Sequence, residues 1–192
     1  ERFARGEGVA AGLHVYDPAA DDWNRPAVAS RCAGMPVVLL EFAWRERGLI
    51  VAPAAADVLD GPAALRGMRV VPRQAGAGSQ VLLEQLLGKA GVDRGELRWT
   101  DVARTESDAA LAVLEGEADA ALGLRAVAEQ LHLGFVPLLR ERYDLLVDRG
   151  AWFDPPLQRL ADFCRSPAFA ARSANFAGYD VGGLGKVRFN AR

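Results

Sequence analysis

The feature that most constrains this chain is a regular alternation of strand and helix signals in its middle third. Arg69 to Pro72 reads as a strand, Ser79 to Ala90 as a helix and Glu96 to Asp101 as a second strand. Ser107 to Glu115 then reads as a helix, Ala118 to Leu124 as a third strand and Arg125 to Leu131 as a helix. Val81, Leu82, Gln85, Leu86 and Lys89 recur at helical spacing, and Gly91 stops the first helix. Ser107 or Thr105 caps the second, which Gly116 ends. A β-α-β-α-β order predicts a parallel sheet with right-handed crossovers and helices on its faces. With 192 residues, 51% of them apolar, the chain has material for one large domain or two small lobes.

The flanks are different. Val9 to Tyr16 is an apolar run of strand length closed by Asp17-Pro18, and Pro26 to Cys32 and Ala63 to Arg66 suggest short helices. Pro36 to Trp44 and Leu49 to Pro53 read as two strands joined by a tight turn at Gly48. Phe135 to Val147 is extended, with a break at Arg140-Glu141-Arg142. Helices are expected over 156–164 and 167–175, and the Gly-rich stretch 178–185 reads as loop. The opening, from Glu1 to Glu7, reads like the end of a helix.

Gly6 to His14 echoes Gly116 to Arg125 with one residue inserted. Each segment starts with a helix stop, runs through a strand of small residues and ends Gly-Leu followed by a basic side chain. One reading is chance likeness in Ala/Gly-rich sequence. The other is two related α/β lobes, with the strand and helix that should precede Gly6 falling roughly forty residues before Glu1. Ligands of open α/β sheets sit outside the carboxyl ends of the strands, where the echo places His14 and Arg125. On the two-lobe reading these side chains face a shared cleft, with Pro36 to Pro53 and Phe135 to Val147 as the crossovers.

The segment Arg73-Gln74-Ala75-Gly76-Ala77-Gly78-Ser79-Gln80 links a strand to a helix. Glycines let the backbone turn and approach a ligand. The helix start leaves N–H groups without partners at the positive end of its dipole. Ser79 adds a hydroxyl and Arg73 a forked cation, which together make an anion cradle. The plainer alternative is a tight turn with Ser79 as an ordinary N-cap. No Lys precedes Ser79, which excludes a P-loop, and the Gly-x-Gly lacks the third glycine of a dinucleotide fingerprint.

Several classes fall away on composition and motif. A net charge of −2 gives no general pull toward nucleic acid or acidic membranes. No apolar run approaches the roughly 20 residues of a membrane helix. Cys32 and Cys164 form neither a metal nor a disulfide framework, and Asp17, Asp21 and Asp22 lack a Ca²⁺-loop spacing. With two histidines and no nucleophile elbow, zinc-protease motif or Cys–His set, no catalytic constellation emerges. The chain is therefore read as a binding protein, not an enzyme, with no cofactor.

Several segments together resemble the PBP-like domain of molybdate-related proteins. They are Gly-Leu-His-Val-Tyr-Asp-Pro at 12–18, Asn24, the run 42–53, Arg73-Gln74 with Gly76 to Ser79, and Arg142 to Val147. The resemblance covers nearly the whole chain. It implies an α/β, two-lobed fold of the type II periplasmic-binding-protein kind, with parallel-core sheets and crossover strands and the N-terminal part of lobe one missing. Lobe one would be 1–45, lobe two 46–139, and 140–192 a return crossover with C-terminal helices packing on lobe one. The resemblance also implies a sensor for a small oxyanion such as molybdate or tungstate, forming the ligand-binding part of a transcriptional regulator. DNA would be contacted only through a module outside this chain. A solute-binding receptor of an oxyanion transporter and a non-binding dimerisation module are the alternatives, and a homodimer is allowed for. A regulator is expected in the cytoplasm, a transport receptor in the periplasm. The expected ligand-binding residues are Arg73, Gln74, Gly76, Gly78, Ser79, Gln80, His14 and Arg125. The family's usual Gly-Ser-Gly-Thr-Arg is Gly-Ala-Gly-Ser-Gln at 76–80, one hydroxyl and one cation fewer.

Overall fold

A computed structural model describes residues 3–191. The first elements are β1 (Ala10–Leu13), β2 (Tyr16–Asp17), β3 (Asp22–Trp23), α1 (Arg25–Arg31) and β4 (Val37–Val51). The alternating region follows as β5 (Arg69–Val71), α2 (Gly78–Lys89), β6 (Arg98–Trp99), α3 (Glu106–Leu114), β7 (Ala120–Leu124) and α4 (Arg125–Gln130). Then come β8 (Gly134–Asp148), α5 (Pro155–Cys164), α6 (Pro167–Ser173), β9 (Tyr179–Asp180) and β10 (Val187–Asn190). Phe3–Arg5 forms a 3-10 turn, and Glu1 and Arg2 lie outside the described residues. Contacts cluster into two compact units, Glu46–Arg140 and a second that runs to Arg45 and resumes at Glu141. The fifteen-residue strands β4 and β8 contribute to both.

In the Glu46–Arg140 unit, β5 lies between two parallel neighbours. Val70 is in register with Trp99 of β6 on one side and with Ala120 of β7 on the other. The parallel core is thus present, and β7 pairs antiparallel with the second half of β4, from Arg47↔Leu124 to Val51↔Ala120. Small side chains on β7 and α3 let helix and sheet pack closely around Val71, Ala109, Val113 and Ala121. Burying Val71 or Val113 contributes about 1.5–3 kcal/mol each. Thr105 caps α3, its hydroxyl accepting from the Asp108 N–H while the Asp108 carboxylate accepts from the Thr105 N–H. Gly91 and Gly116 follow α2 and α3 at φ 64° and 74°, a region that suits glycine.

In the other unit β1 pairs antiparallel with β8, from Ala10↔Val147 to Leu13↔Asp144, and β9 and β10 pair with the first half of β4. Val28, Cys32, Val37, Leu39 and Leu146 form one core cluster, and Val38, Leu40, Val147 and Leu157 another. The 178–185 stretch, expected as loop, includes the short strand β9.

Two sequence expectations are corrected. There is no turn at Gly48, because β4 runs unbroken from Val37 to Val51. Gly48 serves close backbone approach instead, since a Cβ there would collide with the Val136 carbonyl oxygen. Nor is β8 broken at Arg140-Glu141-Arg142. Both Glu141 and Arg142 are buried, Glu141 paired with Arg45 of β4 and Arg142 with Asp144 of its own strand, so their charge marks no exit to solvent.

The two echoing segments share three local features. Gly6 and Gly116 share a φ of 74°. β1 and β7 each run antiparallel to a fifteen-residue strand, and His14 and Arg125 each follow the last strand residue.

Candidate functional site

Beyond β5 the chain stays beside its parallel neighbour, because Arg73 forms an isolated parallel bridge with Ala103. The Arg73 N–H donates to Gln80 Oε1 at 2.8 Å, so α2 itself fixes the exit of the strand. The guanidinium is then aimed by two carbonyls: Nε donates to Ala103 O at 3.0 Å and Nη2 to Arg104 O at 2.8 Å. The third nitrogen, Nη1, is buried, makes no hydrogen bond and lies 3.4 Å from Glu106 Oε1.

The turn that follows is closed by Ala77 N–H donating to Gln74 O, with Gly76 at φ 81°. Gln74 and Gly76 are exposed. Among the described residues, the N–H groups of Gly76, Gly78 and Ser79 have no acceptor. The N-cap of α2 is Ala77, which has no side-chain cap, so the positive end of the helix is uncovered by protein acceptors. Ser79 does not cap the helix. Its hydroxyl donates to Glu106 Oε1 at 2.7 Å and sits 2.5 Å from Arg47 Nη2, a donor to it.

Two residues that the sequence reading passed over organise this site. Arg47, on β4, is fully buried, and its Nη1 donates to both Glu106 oxygens at 2.9 Å. Its Nη2 donates to Oε1 at 3.0 Å. Glu106 is the first residue of α3, placed beside Arg73 because the carboxyl ends of parallel strands gather on one edge. Burial alone would raise the pKa of the Glu106 carboxyl. The Arg47 charge, the Ser79 and Arg47 hydrogen bonds and the Arg73 charge outweigh it and hold the carboxyl below the usual glutamate range. Removing Glu106 would leave the Arg47 charge buried without this partner, at a cost of about 3–5 kcal/mol.

The structure therefore joins Arg73, Gly78, Ser79 and Gln80 into one arrangement and adds Arg47 and Glu106. His14 and Arg125 belong to different units, and each is held within its own. Arg125 pairs with Glu46 at 2.5 Å and lies over the Phe135 ring. His14 Nδ1 is 3.5 Å from Glu141 Oε2, and Glu141 is also the partner of Arg45. The signal for Glu106 was present in the sequence, as a carboxylate in the first helical turn after the strand next to β5. Arg47 gave no such signal, since a charged triplet before a glycine reads as a turn.

A second buried network lies in the other unit. Asn24, at φ 61°, accepts from the Val15 N–H and donates to Arg142 O and Asp144 Oδ2. Arg142 Nε donates to Asp144, and its Nη2 donates to Trp23 O at 2.5 Å. Every partner is internal, so this network serves structure. Among the described residues no group of side chains could hold a metal ion, and no helix is long and apolar enough to cross a membrane.

The PBP superfamily domain model matches residues 1–165. The chain belongs to that family. A relative from Bacillus subtilis, the uncharacterized protein YvgK, is 29% identical over 178 residues, which is 91% of this chain and 57% of the relative. The chain thus spans a little over half of that relative's length. Among solved structures, the Synechocystis PCC6803 CcmR regulatory domain in complex with 2-PG superposes with a TM-score of 0.61 at 12% identity, over 84% of this chain and 74% of that one. Full-length CbnR with its target DNA gives 0.55 at 14% identity, over 85% and 54%. At these identities the likeness establishes a PBP-like α/β fold.

Proposed function

We propose that this chain is the ligand-binding domain of a sensor for a small oxyanion, held where β5 hands over to α2. The reading is supported above all by three backbone N–H groups without protein acceptors at the start of a twelve-residue helix, beside a guanidinium aimed by two carbonyls. The PBP-like fold supports a binding role over a catalytic one, and the regulator reading rests on the sequence resemblance. Molybdate and tungstate are the members of the oxyanion class to which the sequence resemblance points.

One observation favours the alternative of a domain that binds no small ligand: Ser79 and Arg73 already face the internal carboxylate of Glu106. Calorimetric titration of the chain with molybdate, tungstate, sulfate and phosphate separates the two readings. Saturable binding of any of them, lost in Arg73→Ala, is the expected result. An absence of heat at millimolar anion would leave the non-binding reading standing.

A further inference from the structure

The outer edge of β4 is covered by residues 179–191. Val187, Phe189 and Asn190 of β10 pair with Leu40, Leu39 and Val38, and β9 pairs with Trp44 and Arg45. Between these pairings the Gly185 N–H donates to Glu41 O and the Glu41 N–H to Lys186 O, and at the far end the Ala191 N–H donates to Val37 O. The segment therefore lies as a strap along β4 from Val37 to Arg45. The family match ends at residue 165, so the strap lies outside it.

The strand beneath is well able to pair with another chain. Val37 to Ala43 is apolar at every position but one, and such a run on an open edge is a template for a further strand. The strap is lightly held, since none of residues 179–191 is fully buried, whereas Val37, Leu39, Leu40 and Ala43 are. It opens at lower cost than the strand it covers.

The exception within the run is Glu41, only 2% exposed. Its Oε2 accepts from Arg188 Nε at 2.6 Å and also from Arg188 Nη2. Gly183 fits against the same side chain, where a Cβ would collide with Oε1. The strap thus brings a cation to the carboxylate and leaves room for it. A second copy offering its own β4 edge brings neither. Val37 to Ala43 holds no basic residue, and Arg45, the next along, is committed to Glu141. Edge-to-edge pairing would bury Glu41 without a counter-charge, which costs roughly 100-fold or more in an association constant.

We propose that Glu41 is a gate on this edge: it admits the chain's own strap, which carries Arg188, and turns away a second copy of this chain. A charge set inward on an edge strand acts in this way by penalising the wrong partner more than the right one. The gate is independent of the anion seat, which lies in the other unit.

The test is light scattering over a range of concentrations on the full chain, on Glu41→Val, on Phe189→Pro and on the double variant. Proline is excluded from a paired strand interior, and the Phe189 ring packs on the Val28–Leu39 core, so Phe189→Pro releases the strap. Glu41→Val and Phe189→Pro should each stay monomeric. The double variant should self-associate reversibly, at least roughly 100-fold more strongly than Phe189→Pro. A double variant that stays monomeric overturns the gate, and so does Phe189→Pro alone associating as strongly as the double. Arg188→Leu gives a reading that keeps Glu41 and both glycines in place. Hydrogen exchange should show the amides of Gly185 and Ala191 losing about ten-fold or more in protection while those of β8 keep theirs. Unchanged protection there means that Arg188 is not what admits the strap, and the proposal fails.

Discussion

At the scale of single residues, the Glu46–Arg140 unit places a carboxylate among arginines where a ligand site was expected, and its titration has a definite sign. Glu106 has a folded-state pKa below the unfolded value of about 4.3. Its contribution is therefore complete above that pH and is lost as pH falls through the lower folded-state value. Asp144 in the other unit runs the opposite way. Burial raises its pKa more than Asn24 and Arg142 lower it, so it favours the folded state more as pH falls toward the unfolded aspartate value. Melting temperature measured from pH 6 to pH 3 should drop more shallowly in Glu106→Gln than in the unsubstituted chain, from a lower starting point. Parallel curves would mean that Glu106 does not carry the acid sensitivity. Arg73→Ala tests a different property of the same corner. Its Nη1 makes no hydrogen bond and the side chain is 13% exposed, so stability should change by about 1 kcal/mol per lost carbonyl bond while anion binding disappears.

At the scale of elements, two glycines respond differently to the same substitution. Gly48→Ala drives a Cβ into the Val136 carbonyl, so β4 and β8 must separate locally at a cost of about 1–3 kcal/mol or more. Gly76→Ala meets nothing within 4 Å, and its cost is the left-handed backbone alone, about 1–2 kcal/mol. Chemical denaturation should rank Gly48→Ala as the more damaging; the reverse order would contradict the close approach at β4. These two positions also show what was legible in the sequence. The helices α2 and α3 were readable because their stop glycines and the Thr105 box act locally, and β5, β6 and β7 because they alternate with them. The continuity of β4 and β8 was not. It depends on Gly48 facing Val136 and on Glu141 finding Arg45, partners 88 and 96 residues away in sequence. The candidate site divides in the same way. The 73–80 turn is one local segment, whereas Arg47 and Glu106 come from β4 and α3 and meet only once the sheet forms.

At the scale of the whole molecule, ligand binding should appear as stability. A small oxyanion at a hundred times its dissociation constant adds about 2.7 kcal/mol to the folded state, so the melting temperature should rise by several degrees. Thermal scans with each anion on the unsubstituted chain and on Arg73→Ala test this, and equal shifts in the two proteins would indicate a salt effect rather than a seat. A helix-turn-helix segment joined to this domain would support a regulator, and a secretion signal a transport receptor.

One unit is drawn from a single stretch, Glu46–Arg140, and the other is interrupted by it. On a ribosome, the continuous unit is fully synthesised while β1 and the first half of β4 still lack β8, their common neighbour in the sheet. The order of maturation is thereby set by chain connectivity, the later unit having to bring together Ala11 and Leu146 across a separation of 135 residues before they can pair. Pulsed hydrogen exchange during refolding should protect the amides of β5 and β7 before those of β1, and simultaneous protection would show the two halves condensing as one.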